Sequence, residues 1–189
     1  MTGTDQPRVP LLSEEDAVAA AREVGLPDQL AKLNIFRLLL RRPVAARALA
    51  DLILGLLFRS SLDPRLRELV IMRLGWSTAS LYEWTQHWPI ALDAGITEAD
   101  VLGVRDWRSH DAFGAADRAV LAATDELVET GTLSDATWQA CEASIGDADL
   151  LVELVMVIGN WRMVSGVLRS LGVPLEDGVE AWPPDGRSP

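Results

Sequence analysis

The 189-residue sequence predicts a single all-α domain, because helix signals recur along the chain and alternating strand patterns do not occur. Helix caps and a 3.6-residue apolar periodicity indicate seven to nine helical segments. Hydrophobic residues make up 49% of the chain and charged residues 24%, which is the balance of a soluble globular protein. A chain of this length can bury a substantial core without disulfides or structural zinc.

Each predicted helix is bounded by recognisable start and stop residues. Ser13 opens the first segment as an N-cap, and Asp63 caps a later one in which Pro64 takes the first helical position. Gly95 and Gly131 follow two other segments and suit the left-handed position after a helix. The predicted helices cover 13–25, 30–40, 44–58, 64–76, 80–94, a short segment from 97, 114–130, 134–145 and 147–171.

The two ends of the chain differ in composition from the helical part. We expect a flexible N-terminal segment over residues 1–12 and one domain over residues 13–175. Residues 176–189 hold three of the ten prolines and are expected to form a loose, extended C-terminal tail.

Charge and hydropathy exclude several classes of partner. The chain has 17 Lys and Arg residues against 28 Asp and Glu, a net charge of −11, so we expect no nucleic-acid partner. The N-terminus lacks the basic start and apolar run of a signal peptide, which favours a cytoplasmic location. The longest apolar tract, 150–171, carries Glu153, Asn160, Arg162 and Arg169, so no membrane span is expected.

The last predicted helix is apolar nearly all round. A helix without a polar stripe is either central in its own domain or covered by a neighbouring subunit. One domain of this size cannot easily surround a helix that runs from residue 147 to 171. The sequence therefore predicts a homo-oligomer, and a dimer, a trimer and a hexamer all stay open.

Three residues with acid–base chemistry fall on apolar helix faces. Glu83 and His87 are one turn apart on a largely apolar face, close enough to hydrogen-bond. Burying a carboxylate and an imidazole costs roughly several kcal/mol unless the two groups are paired. Glu68 lies between apolar neighbours on the preceding helix, and an antiparallel return could bring it near the pair. One near-neutral base beside two carboxylates suits general acid–base catalysis.

Structural explanations exist for each of these residues. Ser80 and Glu83 match a capping box, which would make Glu83 a helix cap. Glu68 could form a salt bridge with Arg65, and His87 could be a satisfied core histidine. Two ligands on one helix without a clear third are weak evidence for a metal, so no metal site is predicted.

The remaining histidine and the cysteine are weaker candidates for a catalytic role. His110 lies in a polar connection and is expected at the surface. Cys141 is the only cysteine, which excludes a disulfide within the chain, and its helix face indicates a buried, inert thiol.

The segment RLRELVIMRLGWSTASLYEWTQHWPIALDAGI, residues 65–96, resembles the signature of the carboxymuconolactone decarboxylase family. Residues 33–43 and 154–173 are similar to the same family, so the resemblance covers about 30–175. It implies the all-helical AhpD-like fold. In the peroxidase branch of this superfamily, a Glu is followed by a Cys-x-x-Cys pair and a His. Glu68 and His87 match that Glu and His, whereas Ser80 and Glu83 stand at the cysteine positions.

The missing cysteines argue against peroxidase chemistry, because a hydroxyl and a carboxylate cannot form a disulfide or a sulfenic acid. The decarboxylase branch carries a Glu and a His at the spacing of Glu83-Trp-Thr-Gln-His87, with no cysteine pair. The resemblance implies release of CO2 from a γ-lactone carboxylate without a cofactor.

The leading hypothesis is a cofactor-independent acid–base enzyme that decarboxylates or isomerises a small lactone or keto acid. His87 would transfer the proton, Glu83 would orient its ring and Glu68 would complete the relay. Candidate substrate-binding residues are Ser80, Tyr82 and Trp84. One alternative is a non-catalytic oligomer that binds a small molecule. A further one, an AhpD-like peroxidase, could survive only through Cys141 acting between subunits.

Overall fold

The computed structural model describes residues 7–189, and within that range the chain forms nine α-helices and no strands. The helices are α1 Glu14–Glu23, α2 Asn34–Leu39, α3 Pro43–Phe58, α4 Pro64–Ser77, α5 Leu81–Asp93, α6 Glu98–Gly103, α7 Ala115–Thr130, α8 Asp135–Ile145 and α9 Ala148–Leu171. Two 3₁₀ segments cover Leu30–Lys32 and Val104–Ser109. The predicted all-α class is confirmed.

Helix caps account for most of these boundaries. The side chains of Ser13, Asp63 and Ser134 accept hydrogen bonds from first-turn N–H groups of α1, α4 and α8. Gly131 and Gly146 follow α7 and α8 with positive φ values of 83° and 74°, as left-handed helix ends require.

The predicted helix over 30–40 is divided in the structure. A 3₁₀ turn comes first, Leu33 is extended, and α2 begins at Asn34. The main-chain N–H of Asn34 donates to the Glu176 carboxylate over 2.8 Å, and its side-chain amide donates to the carbonyls of Pro174 and Leu175. A new helix begins there because the residues 174–176 satisfy the groups that a continuous helix would have bonded internally.

The described chain divides into two compact units. The first contains the described residues up to Arg59 together with Gly166–Val179. In it, α1 and α3 each bury alanines one turn apart, which permits close packing of two helices. These fully buried alanines are Ala17 and Ala21 of α1 and Ala46 and Ala50 of α3.

The second unit contains Ser60–Ser165 and Glu180–Pro189. Helix α4 is at its centre, because the run from Arg67 to Met72 is buried on every face. Its contacts with α5 and α7 form the core of the unit. Arg73 of α4 holds α7 through Asp125, with 2.5 and 3.1 Å between the paired nitrogen and oxygen atoms. A helix buried on all sides fixes the direction of every side chain that it carries.

Helix α9 buries one side and exposes apolar residues on the other. Trp161, Leu154 and Ile158 are at most 2% exposed, whereas Val152 and Met163 are 57% and 46% exposed. By length and composition α9 is the one helix of residues 7–189 that could cross a membrane, a test that core helices of soluble proteins also pass. The predicted homo-oligomer and the absence of a membrane partner stay predictions.

The two chain ends are more ordered than the sequence predicts. Residues 1–6 of the predicted N-terminal segment lie outside the described range, but the main-chain N–H groups of Arg8 and Leu12 donate to Leu171 and Arg37. The expectation of a loose C-terminal tail is wrong for residues 180–189, which we call the C-terminal strap. Trp182 packs its ring 6.0 Å from that of Trp76, so apolar burial outweighs the entropy of a free end.

Candidate active site

A tight turn between α4 and α5 places the acid–base residues opposite one another. Ala79 adopts a left-handed φ of 52°, and the N–H of Ser80 donates to the Gly75 carbonyl over 2.8 Å. A Cβ on Gly75 would lie 3.1 Å from the main-chain nitrogen of Trp84, so glycine permits this close approach. The turn therefore packs α5 against α4, and Glu68 of α4 faces His87 of α5.

Glu68 and His87 form the centre of a buried hydrogen-bonded cluster. The Nδ1 atom of His87 lies 2.8 Å from Oε2 of Glu68, and Arg67 donates its Nε–H to the other carboxylate oxygen over 3.0 Å. Trp161 of α9 donates its indole N–H to Nε2 of His87 over 3.1 Å. The Oε2 atom of Glu83 lies 3.6 Å from the same Nε2 atom. We call these five residues the Glu–His cluster.

The Glu–His cluster is almost completely shielded from solvent. Glu68 is 0% exposed, Glu83 4% and His87 6%. A buried ionised carboxylate is strongly unfavourable unless charges and hydrogen bonds compensate it. The pairing with Arg67 and His87 supplies that compensation for Glu68, whereas Glu83 has no cation of its own in the described contacts.

The pKa values of the Glu68 and Glu83 carboxyl groups consequently shift in opposite directions. Burial raises the pKa of Glu83 from 4.5 to about 7, with the negative charge of Glu68 adding to the effect and His87 opposing it. Burial would also raise the pKa of Glu68, but His87 and Arg67 outweigh burial and lower it. For His87, burial lowers the pKa and the Glu68 carboxylate raises it, with a net increase. The lowered pKa of Glu68 favours its ionised form, whereas the raised pKa values of Glu83 and His87 favour their protonated forms.

The hydrogen bond from Trp161 identifies the tautomer of the His87 ring. Because the indole N–H can only donate, Nε2 of His87 accepts, and the ring holds its proton on Nδ1 toward Glu68. The same indole also hydrogen-bonds to Glu83 and stabilises its ionised form. A proton on Nε2 would remove this acceptor, so the indole hydrogen bond belongs to the His87 form that carries its proton on Nδ1 alone.

Ser80 lies at the N-terminus of α5 but does not cap it. The hydroxyl of Ser80 makes no capping hydrogen bond, and its oxygen is buried without a partner in the described part of the chain. Glu83 instead points toward His87, so the capping-box explanation of Glu83 is wrong. The reason is geometric: burial of the first turn of α5 against α4 directs both side chains inward.

The other predicted binding residues are not part of the Glu–His cluster. Trp84 is completely buried and donates its indole N–H to the carbonyl of Pro183 over 2.8 Å, beneath the C-terminal strap. Tyr82 is 6% exposed and therefore buried as well. The assignment of Ser80, Tyr82 and Trp84 to a substrate stays a prediction.

Two members of the Glu–His cluster were not predicted. Arg67, and not Arg65, pairs with Glu68, because Arg65 pairs with Asp117. Adjacency to Glu68 was the available signal, but helical spacing favoured Arg65 at three residues. Trp161 appeared as one more apolar residue of α9, and no sequence signal distinguishes a donating indole from a packing one.

His110 and Cys141 have different surroundings from each other. The predicted surface position of His110 is wrong, since its Nε2 atom lies 2.8 Å from Asp100 and its side chain is 24% exposed. Glycine at position 103 leaves room for the His110 ring, because a Cβ there would come within 2.7 Å of the imidazole. Cys141 is buried as predicted, and burial raises the pKa of its thiol to about 11.

The described cavities lie outside the Glu–His cluster. Three described cavities, of about 560, 510 and 280 Å³, are lined by residues outside the cluster. Among residues 7–189, no group of three or more His, Cys, Asp or Glu side chains is arranged to hold a metal ion.

Part of the chain is similar to a known protein family. Residues 43–126 match the family model described as the Carboxymuconolactone decarboxylase family. That range contains Glu68, Ser80, Glu83 and His87. No curated protein matches the sequence significantly.

Several solved structures share the fold. A peroxidase-related protein from Ralstonia eutropha, described as an alkylhydroperoxidase AhpD core, has a TM-score of 0.75 at 14% identity and covers 99% of this chain and 100% of that chain. A peroxidase-related protein from Silicibacter has a TM-score of 0.69 at 13% identity, with 93% and 92% covered. The debrominase Bmp8, in complex with 2,3,4-tribromopyrrole, has a TM-score of 0.67 at 15% identity, with 94% of each chain covered. The resemblance read from the sequence is thereby confirmed over residues 43–126, which match the model of this family, and the fold of the chain is AhpD-like.

Proposed function

We propose that this protein is a cofactor-independent acid–base enzyme that decarboxylates or isomerises a small lactone or keto acid. The observation that carries the proposal is the buried Glu83–His87 pair, in which the raised pKa of Glu83, about 7, keeps a carboxyl proton available at neutral pH. Perturbed pKa values cluster at functional sites, and a pKa near the working pH is what general acid–base catalysis requires.

The roles follow from the two proton positions. When the carbon–carbon bond to a departing carboxylate breaks, its electron pair stays on the substrate as an enolate-like carbanion, and CO2 leaves. The proton shared by Glu83 and His87 Nε2 is then delivered to that carbon. The Glu68 carboxylate stays ionised beside Arg67 and holds the imidazole through Nδ1. A proton from solvent restores the pair, so no oxidant or cofactor is consumed.

An isomerisation would use the same groups in a different order. The ionised form of the Glu83–His87 pair would remove a proton beside a carbonyl, and the protonated form would return it to another carbon. The family match supports chemistry on a carboxylated lactone, and the bound tribromopyrrole in the debrominase supports a small ring as the size of ligand.

The test is release of CO2, with ultraviolet spectra of the acid, from γ-carboxymuconolactone and a panel of small keto acids. Wild type would be compared with His87→Gln and Glu83→Gln, which keep side-chain size while removing the titrating group. His110→Gln is the matched control, because His110 is the second of two histidines and pairs with Asp100 outside the cluster. We expect turnover to fall at least about a hundredfold in the two cluster variants, the scale of general acid–base catalysis. Equal turnover in His87→Gln and wild type would reject the proposal.

The near-complete burial of the Glu–His cluster favours a second candidate, a non-catalytic protein that binds a small molecule. Glu68 is 0% exposed, and the three described cavities are lined by other residues. A co-purified ligand without turnover on any acid would favour this function.

Peroxidase activity is the third and least supported candidate. The thiol of Cys141 is buried, and its pKa of about 11 leaves almost no thiolate at neutral pH. Peroxide consumption should therefore be absent in wild type and unchanged in Cys141→Ser.

A further inference from the structure

The C-terminal strap places an indole and a carboxylate side by side on the surface of the second unit. The Trp182 ring lies 6.0 Å from that of Trp76, at 87°, and 6.2 Å from that of Trp84, at 40°. The Asp185 carboxylate accepts hydrogen bonds from both terminal nitrogens of Arg105, over 2.7 and 2.9 Å. Together the two side chains have the chemical outline of an aromatic carboxylic acid.

The surface under the strap is built for such a group. The Arg105 guanidinium stacks over Trp76 at 4.6 Å and over Trp84 at 4.9 Å from the ring centres. Its side chain is only 11% exposed, and within the described residues its buried Nε atom has no hydrogen-bond partner. The main chain at Arg105 is fixed in turn, because Arg73 donates to its carbonyl over 3.0 Å. A fixed guanidinium fork on an aromatic platform recognises planar carboxylates bidentately.

Few contacts hold the strap on this surface. Its main chain makes two of them, from the Trp84 indole to Pro183 and from the Trp182 N–H to the Thr85 hydroxyl, the latter over 3.3 Å. Trp182 adopts a left-handed φ of 53°, which is unfavourable for a bulky side chain. The Asp185 side chain is 37% exposed. Besides these bonds, the ring contacts of Trp182 and the ion pair between Asp185 and Arg105 hold the strap.

Space for a larger ligand adjoins the ion pair. A cavity of about 510 Å³ is lined by Trp76, Gly103, Arg105, His110 and Asp185, among others. That volume lies within the range of about 300–1,000 Å³ typical of small-molecule sites.

We propose that Trp76, Trp84 and Arg105 form a binding site for an aromatic carboxylate, which the C-terminal strap occupies in the same chain. A free aromatic carboxylate and the Trp182–Asp185 pair bind the same surface and exclude each other. The proposal goes beyond the acid–base reaction and does not rest on it, because its readout is binding and not turnover.

The experiment measures binding of indole-3-acetate to the full-length protein by isothermal titration calorimetry. Wild type would be compared with Asp185→Asn and with Trp182→Ala/Asp185→Asn. Because the strap reduces the fraction of competent sites, its release should tighten binding at least about tenfold in the double variant and less in the single one. Indole-3-acetamide, which lacks the carboxylate charge, should bind at least about tenfold more weakly.

Two arginine variants in the strap-released background complete the test. Arg105→Ala should abolish binding of indole-3-acetate. Arg108→Ala should retain it, because Arg108 stacks on Trp107 and is 64% exposed elsewhere on the unit. A synthetic peptide of residues 180–189 should compete with indole-3-acetate for the double variant. The proposal is overturned if the double variant binds no tighter than wild type, or if Arg105→Ala leaves binding unchanged. Should the double variant not fold, the comparison of Asp185→Asn with wild type decides the question in the same way.

Discussion

Trp161 donates its indole N–H to Nε2 of His87 from a position 74 residues further along the chain. This bond joins α9 to α5 inside the second unit, at the same Nε2 atom that lies 3.6 Å from the Glu83 carboxylate. The protonation of His87 at Nε2 is thereby linked to the packing of α9 against α5.

Trp161→Phe should therefore change both stability and titration. Loss of the donor leaves a buried acceptor unpaired and should lower the free energy of unfolding by about 1–3 kcal/mol. Since the indole stabilises ionised Glu83, the pKa of Glu83 should rise further. Urea unfolding and carboxyl NMR titration would measure the two effects. Trp138→Phe is the control, because Trp138 is 39% exposed and its loss should change neither quantity.

Stability should fall as the pH rises through neutrality. The pKa of Glu83 is raised from 4.5 to about 7, so between these values the folded state binds more protons than the unfolded state. The stability contributed by protonated Glu83, about 3 kcal/mol, is therefore lost as the pH rises from 4.5 to about 7, and Glu83 causes no further change above that pH. The raised pKa of His87 acts in the same direction, since its contribution is complete below 6.5 and is lost as pH rises through the folded-state pKa.

Glu83→Gln should remove most of this pH dependence. Relative to wild type, the variant should be more stable at pH 8 than at pH 5 by up to about 3 kcal/mol, measured by urea unfolding at both values. Glu142→Gln, at an exposed position of α8, is the matched control and should follow wild type. An identical pH profile for Glu83→Gln and wild type would show that Glu83 is not the titrating group.

Glu68→Gln should shift the titration of His87 downward. The Glu68 carboxylate is the largest influence that raises the pKa of His87, and without it burial and the Arg67 charge both lower that pKa. The buried Arg67 guanidinium also loses its counter-charge, which should cost about 3–5 kcal/mol of stability. Proton NMR of the imidazole resonances would report the shift, with His110 as the internal reference. An unmoved His87 resonance would contradict the assigned pairing.

Gly75→Ala should disturb the cluster although it touches none of its members. The added Cβ would lie 3.1 Å from the main-chain nitrogen of Trp84, and backbone cannot move as a side-chain end can. In Gly159→Ala the Cβ meets nothing within 4 Å, so that variant should gain about 1 kcal/mol from helix propensity. Thermal unfolding of both variants checks the contrast. A Gly75→Ala protein as stable as Gly159→Ala would show that the close helix approach is not required.

The helices and the pair of Glu83 and His87 could be predicted because both depend on local spacing, and Glu68 was expected near the pair through the short turn between α4 and α5. Caps such as Ser13 and Asp63 act within one helical turn, and Glu83 lies one turn from His87. Long-range partners could not be predicted in this way. Trp161 reaches the cluster from α9, and nothing in its neighbourhood in sequence distinguishes a donor from a core side chain.

The order of the C-terminal strap could not be predicted from local sequence either. Its prolines and polar residues are typical of a free end, and local composition predicts one. Arg105 and the exposed face of Trp76 lie 80 and more residues earlier, and they provide the surface that orders it. A local sequence pattern cannot predict order that depends on contacts with residues far away in the sequence.

The clustered indoles of Trp76, Trp84 and Trp182 have a spectroscopic consequence. Their ring centres are separated by 5.3, 6.0 and 6.2 Å, so their electronic transitions should couple and give an intense near-ultraviolet circular dichroism band. Departure of Trp182 removes one chromophore from the coupled set while the other two stay in place. The protein thus contains its own optical reporter of whether the chain end is seated, and no attached dye is required to follow that event in real time.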